Sequence, residues 1–379
     1  MINRKKVMVV FGTRPEAIKM APVIQALQQE NSILCQVAVT AQHREMLDQV
    51  LKLFKLNPDF DLNLMRQGQT LTEITTRALN GLKEIFQREL PDLVLVHGDT
   101  TTTFVAALAA FYAQIPVGHV EAGLRTGNKY SPFPEEMNRR LASVLTDFHF
   151  APTETAKRNL LQEGIAPEKI FVTGNTVIDA LLATVKPEYS FKDLEVQSIL
   201  KQSAKSRMVL VTTHRRENLG EPMRQIYQAL KSMLETFSDT FVVFPVHKNP
   251  KVRKVVTEVL GAHPRVYLVE PMDYEPFVNL MARSHLILTD SGGIQEEAPS
   301  LGIPVLVVRD TTERPEAVEA GTVSLVGTHY ESVFGELSRL LSDQQAYRKM
   351  AMAINPYGDG SAAIKVASII SGKKCRDKI

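Results

Sequence analysis

Residues 7–29 read VMVVFGTRPEAIKMAPVIQALQQ, and this stretch already indicates the fold class. The apolar run Val7–Phe11 is followed by Gly12, which permits a tight turn. Pro15 suits the first turn of a helix, because its missing N–H needs no partner there. Since the run is apolar on both faces, the stretch predicts a parallel strand, a turn and a covering helix.

The same alternation of strands and helices recurs in two series along the chain. The first series of predicted strands is Val7–Phe11, Leu34–Thr40, Leu93–His97, Val117–Glu121, Phe148–Ala151 and Ile170–Thr173. The second series is Val209–Thr213, Phe241–Val246, Val266–Val269, Leu286–Thr289 and Val305–Val308. This pattern predicts an α/β protein with two doubly wound, Rossmann-like domains facing a central cleft.

The domain limits are predicted from the place where the alternation blurs. Residues 186–207 are charged and polar without a clear strand, so we interpret them as an interdomain connection. They separate an N-terminal domain, residues 1–185, from a C-terminal domain, residues 208–360. Residues 361–379 begin with a helical stretch that either completes the second domain or crosses back to the first.

The composition argues against several classes of protein. Lys and Arg number 44 against 42 Asp and Glu, a formal charge of +2, whereas nucleic-acid-binding proteins and polybasic membrane anchors show a basic excess. No stretch approaches the roughly 20 apolar residues of a membrane span. The two cysteines are too few for a disulfide framework or a cysteine-rich zinc site. We expect a cytoplasmic protein without a metal and without nucleic-acid or membrane partners.

Candidate functional residues of the first domain follow its strands, where open α/β sheets bind ligands. Arg14 lies beside a helix N-terminus, which favours an anion site over a solvated arginine at a plain turn. Asp99 is equally consistent with a helix N-cap and with a catalytic carboxylate. Glu121 ends a buried strand, which is costly for an unpaired carboxylate and therefore favours a functional role. Glu135 and Glu136 suit the dipole of a first helical turn.

The second domain carries the residues expected of a phosphate site. His214, Arg215 and Arg216 end its first strand, a combination that favours a phosphate and proton site over a basic surface turn. Asp290-Ser291-Gly292-Gly293 follows a later strand, and its backbone N–H groups can surround a diphosphate. The turn is neither a Walker A loop nor a G-x-G-x-x-G fingerprint, so neither ATP nor NAD is indicated. The residues alone predict a two-domain enzyme that binds a nucleotide diphosphate.

Seven motifs together resemble the bacterial non-hydrolysing UDP-N-acetylglucosamine 2-epimerases, in order from the first strand to about residue 357. They are Phe11-Gly12-Thr13-Arg14-Pro15-Glu16, His97-Gly98-Asp99-Thr100, Glu121-Ala122-Gly123-Leu124-Arg125, Pro134-Glu135-Glu136 with Asn138-Arg139, Thr213-His214-Arg215-Arg216-Glu217-Asn218, Asp290-Ser291-Gly292-Gly293 with Gln295-Glu296-Glu297, and Arg309-Asp310 with Thr312-Glu313-Arg314-Pro315. The resemblance implies a GT-B-like fold and an isomerase that interconverts UDP-GlcNAc and UDP-ManNAc without a cofactor. It further implies that the product supplies ManNAc for bacterial surface polysaccharides.

The resemblance also implies a role for individual residues. The implied catalytic group is Arg14, Asp99, Glu121, Glu135 and His214. The implied substrate-binding residues are Lys19, Arg216, Phe277 near the uracil, Ser291, Gly292 and Gly293 at the phosphates, Glu297 at the ribose hydroxyls, and Arg314 at the diphosphate or sugar. We expect UDP to be eliminated to leave 2-acetamidoglucal and then to add back. Which carboxylate acts as base and which as acid stays open.

Partners and regulation are further implications of the same resemblance. It implies a homodimer and, in some members, activation by a second UDP-GlcNAc in a neighbouring pocket, parts of which match Gln42, His43 and Gln69. Regulated members carry Arg just before the equivalent of Gln69, where this chain has Gly68, so activation here stays open.

Three alternative functions stay open at this point. A UDP-sugar glycosyltransferase of the same architecture would need an acceptor groove, and the acids of the first domain suit proton transfer better. A hydrolysing epimerase would release free ManNAc. A catalytically silent UDP-sugar sensor is disfavoured by the complete set of acids and histidine.

Overall fold

The computed structural model describes residues 4–41, 44–66, 68–203 and 205–373. The chain forms two compact units, one of Met1–Leu182 with Tyr357–Ile379 and one of Ala183–Pro356. Each unit contains one sheet in which the paired strands are parallel. The predicted α/β class, with two doubly wound Rossmann-like sheets, is confirmed.

The first unit contains a seven-stranded sheet with the order β3-β2-β1-β4-β5-β6-β7. Its strands are β1 Lys5–Phe11, β2 Ile33–Val39, β3 Phe60–Asp61, β4 Leu93–His97, β5 Val117–Val120, β6 Phe148–Ala151 and β7 Ile170–Val172. Its helices are α1 Arg14–Gln28, α2 Arg44–Leu53, α3 Leu71–Glu89, α4 Thr101–Tyr112, α5 Glu135–Leu145, α6 Glu154–Gln162, α7 Thr176–Thr184, which runs to the start of the second unit, and α16 Ala362–Ile370. The strand order reverses between β1 and β4, so the loops that follow these two strands begin side by side.

The second unit contains a six-stranded sheet with the order β10-β9-β8-β11-β12-β13. Its strands are β8 Arg207–Thr212, β9 Thr240–Pro245, β10 Val266–Val269, β11 Leu286–Thr289, β12 Val305–Val307 and β13 Val323–Leu325. Its helices are α8 Leu194–Gln202, α9 Glu221–Thr236, α10 Pro250–Leu260, α11 Tyr274–Met281, α12 Gly292–Glu297, α13 Pro315–Glu319, α14 Tyr330–Ser342 and α15 Gln344–Ala351. Here the order reverses between β8 and β11, which pair directly.

The apolar runs of the sequence form the two cores. In the first unit, Met8 and Val94 of neighbouring strands pack with Phe86 of α3, and all three are fully buried. In the second unit, Tyr227 of α9 packs on Phe244 of β9, with ring centroids 5.7 Å apart. Because both faces of each sheet are covered, functional polar side chains are concentrated at the strand ends.

The structure contains elements that the periodicity did not reveal. Strands β3 and β13 comprise two and three residues, too few to show an alternation of their own. Helix α8 lies within the segment interpreted as an interdomain connection, and that segment belongs to the second unit. Its start is capped by Asp193, whose Oδ1 accepts the N–H of Glu195 at 2.9 Å.

The C-terminal helix α16 is part of the first unit. The N–H of Ala363 at its start donates to Oδ1 of Asp179 at 2.9 Å, and Lys5 Nζ donates to the carbonyl of Ile370 at 3.3 Å. Ahead of the helix, the carbonyl of Tyr357 accepts the N–H of Asn175 at 2.7 Å. The last described segment therefore closes the unit that the first strand opens.

Gly123 should tolerate a side chain less well than Gly164, because the two glycines share a left-handed backbone but differ in the space around them. A Cβ on Gly123 would lie 2.3 Å from the carbonyl oxygen of Ala156, whereas nothing lies within 4 Å of one on Gly164. Gly164→Ala should cost about 1 kcal/mol of stability from backbone strain alone. Gly123→Ala should cost at least about 2 kcal/mol more, because the backbone of α6 must move. Denaturant unfolding of both variants measures the difference, and equal losses would contradict this reading.

Candidate active site

Glu121 lies directly after β5 and joins three neighbours in the first unit. Its carboxylate forms an ion pair with Nζ of Lys19 on α1 and accepts a hydrogen bond from Nδ2 of Asn175 at 2.9 Å. Nε2 of His97, the last residue of β4, lies 3.9 Å from the same carboxylate oxygen. The structure thus brings Glu121 and Lys19 together, as two side chains of one cluster.

The backbone of Glu121 is strained, with a φ of 64°. The left-handed region costs a residue with a side chain about 1–2 kcal/mol, and glycine would avoid this cost. Strain of this kind persists where the surrounding structure holds it, and it concentrates at functional sites. The Glu121 carboxylate is therefore a functional candidate on structural grounds as well.

His97 is a neutral, buried neighbour of this cluster. Burial lowers the pKa of His97 to about 4, although the nearby Glu121 carboxylate acts in the opposite direction. Neither ring nitrogen has a hydrogen-bond partner within the described ranges. A neutral ring in this place leaves no buried charge beside Glu121 at neutral pH.

Asp99, after β4, is held by helix α5. Its carboxylate forms an ion pair with Arg139, and its carbonyl accepts a hydrogen bond from Nδ2 of Asn138 at 3.0 Å. The cap of α4 is instead Thr100, whose hydroxyl accepts the N–H of Thr103 at 3.2 Å. The N-cap alternative for Asp99 is therefore wrong. Asn138 and Arg139 were not predicted as site residues, although both lie within a recognised motif.

The adjacent glutamates of α5 differ in their surroundings. Glu136 is fully buried, and its oxygens accept the N–H groups of Thr126 at 3.1 Å and Gly127 at 3.3 Å, so it holds the preceding loop in place. Glu135 is half-buried, and its carboxylate has no hydrogen bond or ion pair with any residue that the structure describes. Glu135 therefore has a carboxylate that is not engaged in holding the fold.

Arg14 has a guanidinium that is equally unengaged. It is the first residue of α1, is half-buried, and makes no side-chain hydrogen bond or ion pair with the described part of the chain. A planar cation beside a helix N-terminus suits a phosphate or another anion.

Glu16 is a buried acid that the sequence reasoning did not single out. One carboxylate oxygen accepts the N–H groups of Gly12 at 3.0 Å and Thr13 at 2.8 Å, and also the Thr13 hydroxyl at 2.8 Å. The other oxygen contacts the hydroxyls of Thr100 at 2.7 Å and Thr103 at 3.2 Å. Glu16 thereby ties the loop after β1, next to Arg14, to the loop after β4, next to Asp99.

Replacing Glu16 by Gln should change the pH dependence of stability. Burial raises the pKa of Glu16, although hydrogen bonds from Thr100, Thr13 and Gly12 act in the opposite direction. A carboxyl whose pKa is raised on folding stabilises the fold fully below its unfolded pKa, roughly 4, and this contribution is lost as the pH rises through the folded value. The stability deficit of Glu16→Gln relative to wild type should therefore shrink from pH 4 towards pH 8 in urea unfolding. A stability deficit that grows with pH would show that the hydrogen bonds outweigh burial and lower the pKa of Glu16.

The reversal of strand order in the second unit brings His214 and Asp290 together. His214 follows β8, and its Nδ1 lies 3.2 Å from Oδ1 of Asp290, which follows β11. Arg216 lies in a short 3₁₀ turn after His214 and is exposed. Asp290 is the functional candidate that the sequence reasoning missed here, although it begins the turn of residues 290–293 that predicted a diphosphate site.

Ser291, Gly292 and Gly293 lie at the start of helix α12, as the predicted turn requires. The N–H of Ser291 donates to the hydroxyl of Thr289 at 2.9 Å, so this group is used within the protein. The N–H groups of Gly292 and Gly293 belong to the first helical turn, where intrahelical partners are absent. The anion-binding capacity of the turn therefore rests on those two groups and the Ser291 hydroxyl.

Glu297 and Arg314 are each held by a neighbour within the second unit. Tyr274, the first residue of α11, donates its hydroxyl hydrogen bond to Oε1 of Glu297 at 2.9 Å. Phe277 lies one turn further along α11 and is half-buried. Arg314 forms an ion pair with the buried Glu296. The predicted uracil and ribose residues thus lie on two helices that this tyrosine connects.

Gln69 uses its side-chain amide locally. Its Nε2 donates to the carbonyl of Leu64 at 2.9 Å, and its Oε1 accepts the N–H of Arg66 at 2.7 Å. Gln42 and His43, the other residues predicted for a second pocket, lie outside the described residues.

Metal clusters and membrane spans were sought in the part of the chain that the structure describes. Within it, no group of three or more His, Cys, Asp or Glu side chains is arranged to hold a metal ion. None of the helices resolved in the same ranges combines the length and the apolar character that crossing a bilayer requires.

Comparison with known proteins identifies the family. Two Rossmann-like sheets with charged loops at their strand ends define an α/β protein of the GT-B-like class. Residues 25–371 match the family model for UDP-N-acetylglucosamine 2-epimerase, so the chain belongs to this family of isomerases. The resemblance drawn from the motifs is confirmed.

Individual relatives match over nearly the whole chain. The UDP-N-acetylglucosamine 2-epimerase of Bacillus subtilis is 57% identical over 96% of this chain and 94% of its own length. The UDP-N-acetylglucosamine 2-epimerase of Escherichia coli is 56% identical over 97% of this chain and 99% of its own length. The crystal structure of UDP-GlcNAc 2-epimerase from Neisseria meningitidis bound to UDP-GlcNAc superposes with a TM-score of 0.83 at 53% identity, covering 97% of this chain and all of that one.

Proposed function

We propose that this chain interconverts UDP-GlcNAc and UDP-ManNAc by eliminating UDP from the sugar and adding it back. The observation that carries the proposal is the pair of carboxylates at the strand ends of the first unit, Asp99 and Glu121, each held by its own cation. A relative at 53% identity binds UDP-GlcNAc, which supports the choice of substrate. The product would supply ManNAc units for bacterial surface polysaccharides.

The acidity of the sugar explains why UDP must leave. The C2–H bond is not next to a carbonyl group, so a carboxylate base cannot remove its proton directly. As the C1–O bond to the diphosphate breaks, UDP takes the bonding pair and C1 acquires oxocarbenium character, which makes the C2 proton acidic. Loss of that proton forms the C1–C2 double bond of 2-acetamidoglucal. Protonation of C2 on the opposite face and attack of a UDP oxygen on C1 complete the inversion.

The first unit supplies the acids and bases of this reaction. Inversion at C2 requires a base on one face of the ring and an acid on the other, so a single carboxylate is insufficient. Asp99 and Glu121 lie on different loops, and Glu135 adds a third carboxylate that is not engaged in the fold. Arg139 and Lys19 hold the first two carboxylates in place through ion pairs.

The second unit would stabilise the departing UDP, and Arg14 is the candidate anion-binding residue of the first unit. The negative charge that develops on the diphosphate needs donors that are already in place. The N–H groups of Gly292 and Gly293, the Ser291 hydroxyl and the cations Arg314 and Arg216 are such donors, with His214 beside them. The Glu297 carboxylate, held by Tyr274, would accept hydrogen bonds from the ribose hydroxyls, and Phe277 would contact the uracil.

A cytoplasmic homodimer completes the proposal and rests on the family resemblance, whereas activation by a second UDP-GlcNAc stays open. The side-chain amide of Gln69 is used in hydrogen bonds with the backbone of Leu64 and Arg66. Gly68, with a φ of 76°, offers no side chain to an activator.

Reaction in heavy water should place solvent deuterium at C2 of the product. The base on one face removes the C2 proton, and the acid on the opposite face delivers a hydrogen that it has taken from the solvent. Each turnover in heavy water therefore places one deuterium at C2. Incubation with UDP-GlcNAc alone, followed by proton NMR, should show UDP-ManNAc lacking the C2 proton signal. Complete turnover with protium retained at C2 would rule out elimination.

The same spectra separate the alternative functions. Free ManNAc in place of a UDP-linked product would indicate a hydrolysing epimerase. Conversion that requires an added sugar acceptor would indicate a glycosyltransferase. UDP-GlcNAc that binds and stays unchanged would indicate a sensor.

Asp99→Asn and Glu121→Gln should each lower kcat by about 10²–10⁴-fold, because each removes a group that transfers or directs a proton. Both variants should still bind UDP, since the nucleotide residues are unchanged. Glu154→Gln is the matched control, because this carboxylate is 71% exposed on α6, and it should keep the wild-type rate. Near-normal rates in both variants would remove the two residues from the mechanism.

A further inference from the structure

Asp290 is fully buried, yet its carboxylate faces His214, whose side chain is partly exposed. Oδ2 accepts the N–H groups of His214 and Arg215, each at 2.8 Å, and lies 3.5 Å from Nδ2 of Asn218. Oδ1 lies 3.2 Å from Nδ1 of His214. Among the described residues, Oδ1 accepts no well-aligned hydrogen bond, and the His214 ring nitrogen lies within reach of it. One oxygen therefore holds the loop, and the other is directed at the ring.

The carboxylate is ionised in this environment. Burial raises the pKa of Asp290, but the His214 side chain and the backbone N–H groups of Arg215 and His214 outweigh burial and lower it overall. An ionised Oδ1 accepts a hydrogen bond and cannot donate one. When the His214 ring is neutral, its proton is favoured on Nδ1, because a lone pair there would face the carboxylate charge 3.2 Å away.

The His214 ring is otherwise open on one side. Its side chain is 42% exposed, and it stacks on His247 with centroids 5.5 Å apart and planes 18° from parallel. Stacking fixes the ring plane, and Asp290 fixes which nitrogen points inward. Nε2 is then the nitrogen that can meet a ligand.

We propose that Asp290 is a positioning residue that sets the tautomer and orientation of His214, so that Nε2 faces the diphosphate of the nucleotide sugar. The identity of that ligand rests on the proposed function, whereas the tautomer does not. When Nε2 takes up a proton, the ring becomes a cation that donates Nδ1–H to Asp290 and Nε2–H to a phosphate oxygen. Asp290 keeps its negative charge throughout and takes up no proton.

Asp290→Asn tests the proposal with little change in shape. The two backbone N–H groups at the Oδ2 position require an acceptor, so the amide oxygen of Asn should occupy it. The amide NH₂ then faces Nδ1 of His214 and requires a lone pair there. The variant should therefore move the ring proton to Nε2, where the ring can no longer accept a proton from a ligand.

Nitrogen-15 NMR of histidine side chains shows which ring nitrogen of His214 carries the proton. This tautomer would not change on substitution if Asp290 only supported the fold. The wild-type signal of His214, assigned by its loss in His214→Gln, should show the proton on Nδ1, and Asp290→Asn should show it on Nε2. A wild-type ring protonated on Nε2 overturns the proposal, even if the variant fails to fold. Absence of epimerase activity would count against the proposed function and would leave this readout intact.

A double-mutant cycle on the rate provides the second test. Asp290→Asn should lower kcat by about 10²-fold or more, with a smaller change in KM, because the ring in the wrong tautomer cannot become the cation that stabilises the departing diphosphate. In the His214→Gln background, the same substitution should lower kcat no further, because Asp290 acts through the ring. An equal loss in both backgrounds would overturn the proposal.

Thr212→Val is the matched control at the same strand ends. It removes the hydroxyl pair of Thr212 and Thr289, 2.6 Å apart, without touching the Asp290 carboxylate. It should leave the tautomer unchanged and kcat within a few-fold of wild type. A tautomer change in this control would show that disturbing the strand ends is sufficient, and would overturn the specific role of Asp290.

Discussion

A carboxylate buried at the carboxyl edge of a parallel sheet is tolerated only where donors surround it, and this constraint shapes both units. In the first unit, Glu16 follows β1 and gathers donors from its own loop and from the start of α4. In the second, Asp290 follows β11 and gathers backbone donors from the loop after β8. In each unit the acid bridges the two strands at which the sheet order reverses. The loops with the candidate site residues are thus held by carboxyl groups that solvent does not reach.

The carboxylates proposed for catalysis are held in a different way, by cations from helices. Asp99 pairs with Arg139 of α5, and Glu121 pairs with Lys19 of α1. Each pair joins a loop to a helix that is distant in sequence, so each group depends on the packing of the whole sheet. Because these ion pairs are only partly exposed, they keep more of their electrostatic strength than surface pairs do.

Much of the architecture and the location of the site could be predicted from the sequence, since apolar runs and the polar residues that follow them are local patterns. Partnerships across the sheet could not be predicted in this way. Asp290 meets His214, and Asn138 meets Asp99, only because strand order brings distant loops together. Strands β3 and β13 also escaped, because Asp61 and Ser324 interrupt runs that are too short to show a period. Helix α8 was missed because its capping residue, Asp193, lies in a segment whose polar composition resembled that of a linker.

The left-handed backbone of Glu121 has an evolutionary and practical consequence. Glycine at this position would relax the backbone, but it would also take the carboxylate away from the largely buried ammonium of Lys19. Because the lost ion pair outweighs the relieved strain, replacement of residue 121 offers no route to a more heat-tolerant protein. A laboratory that hardens this protein for use should leave that one position out of its library and look for gains elsewhere.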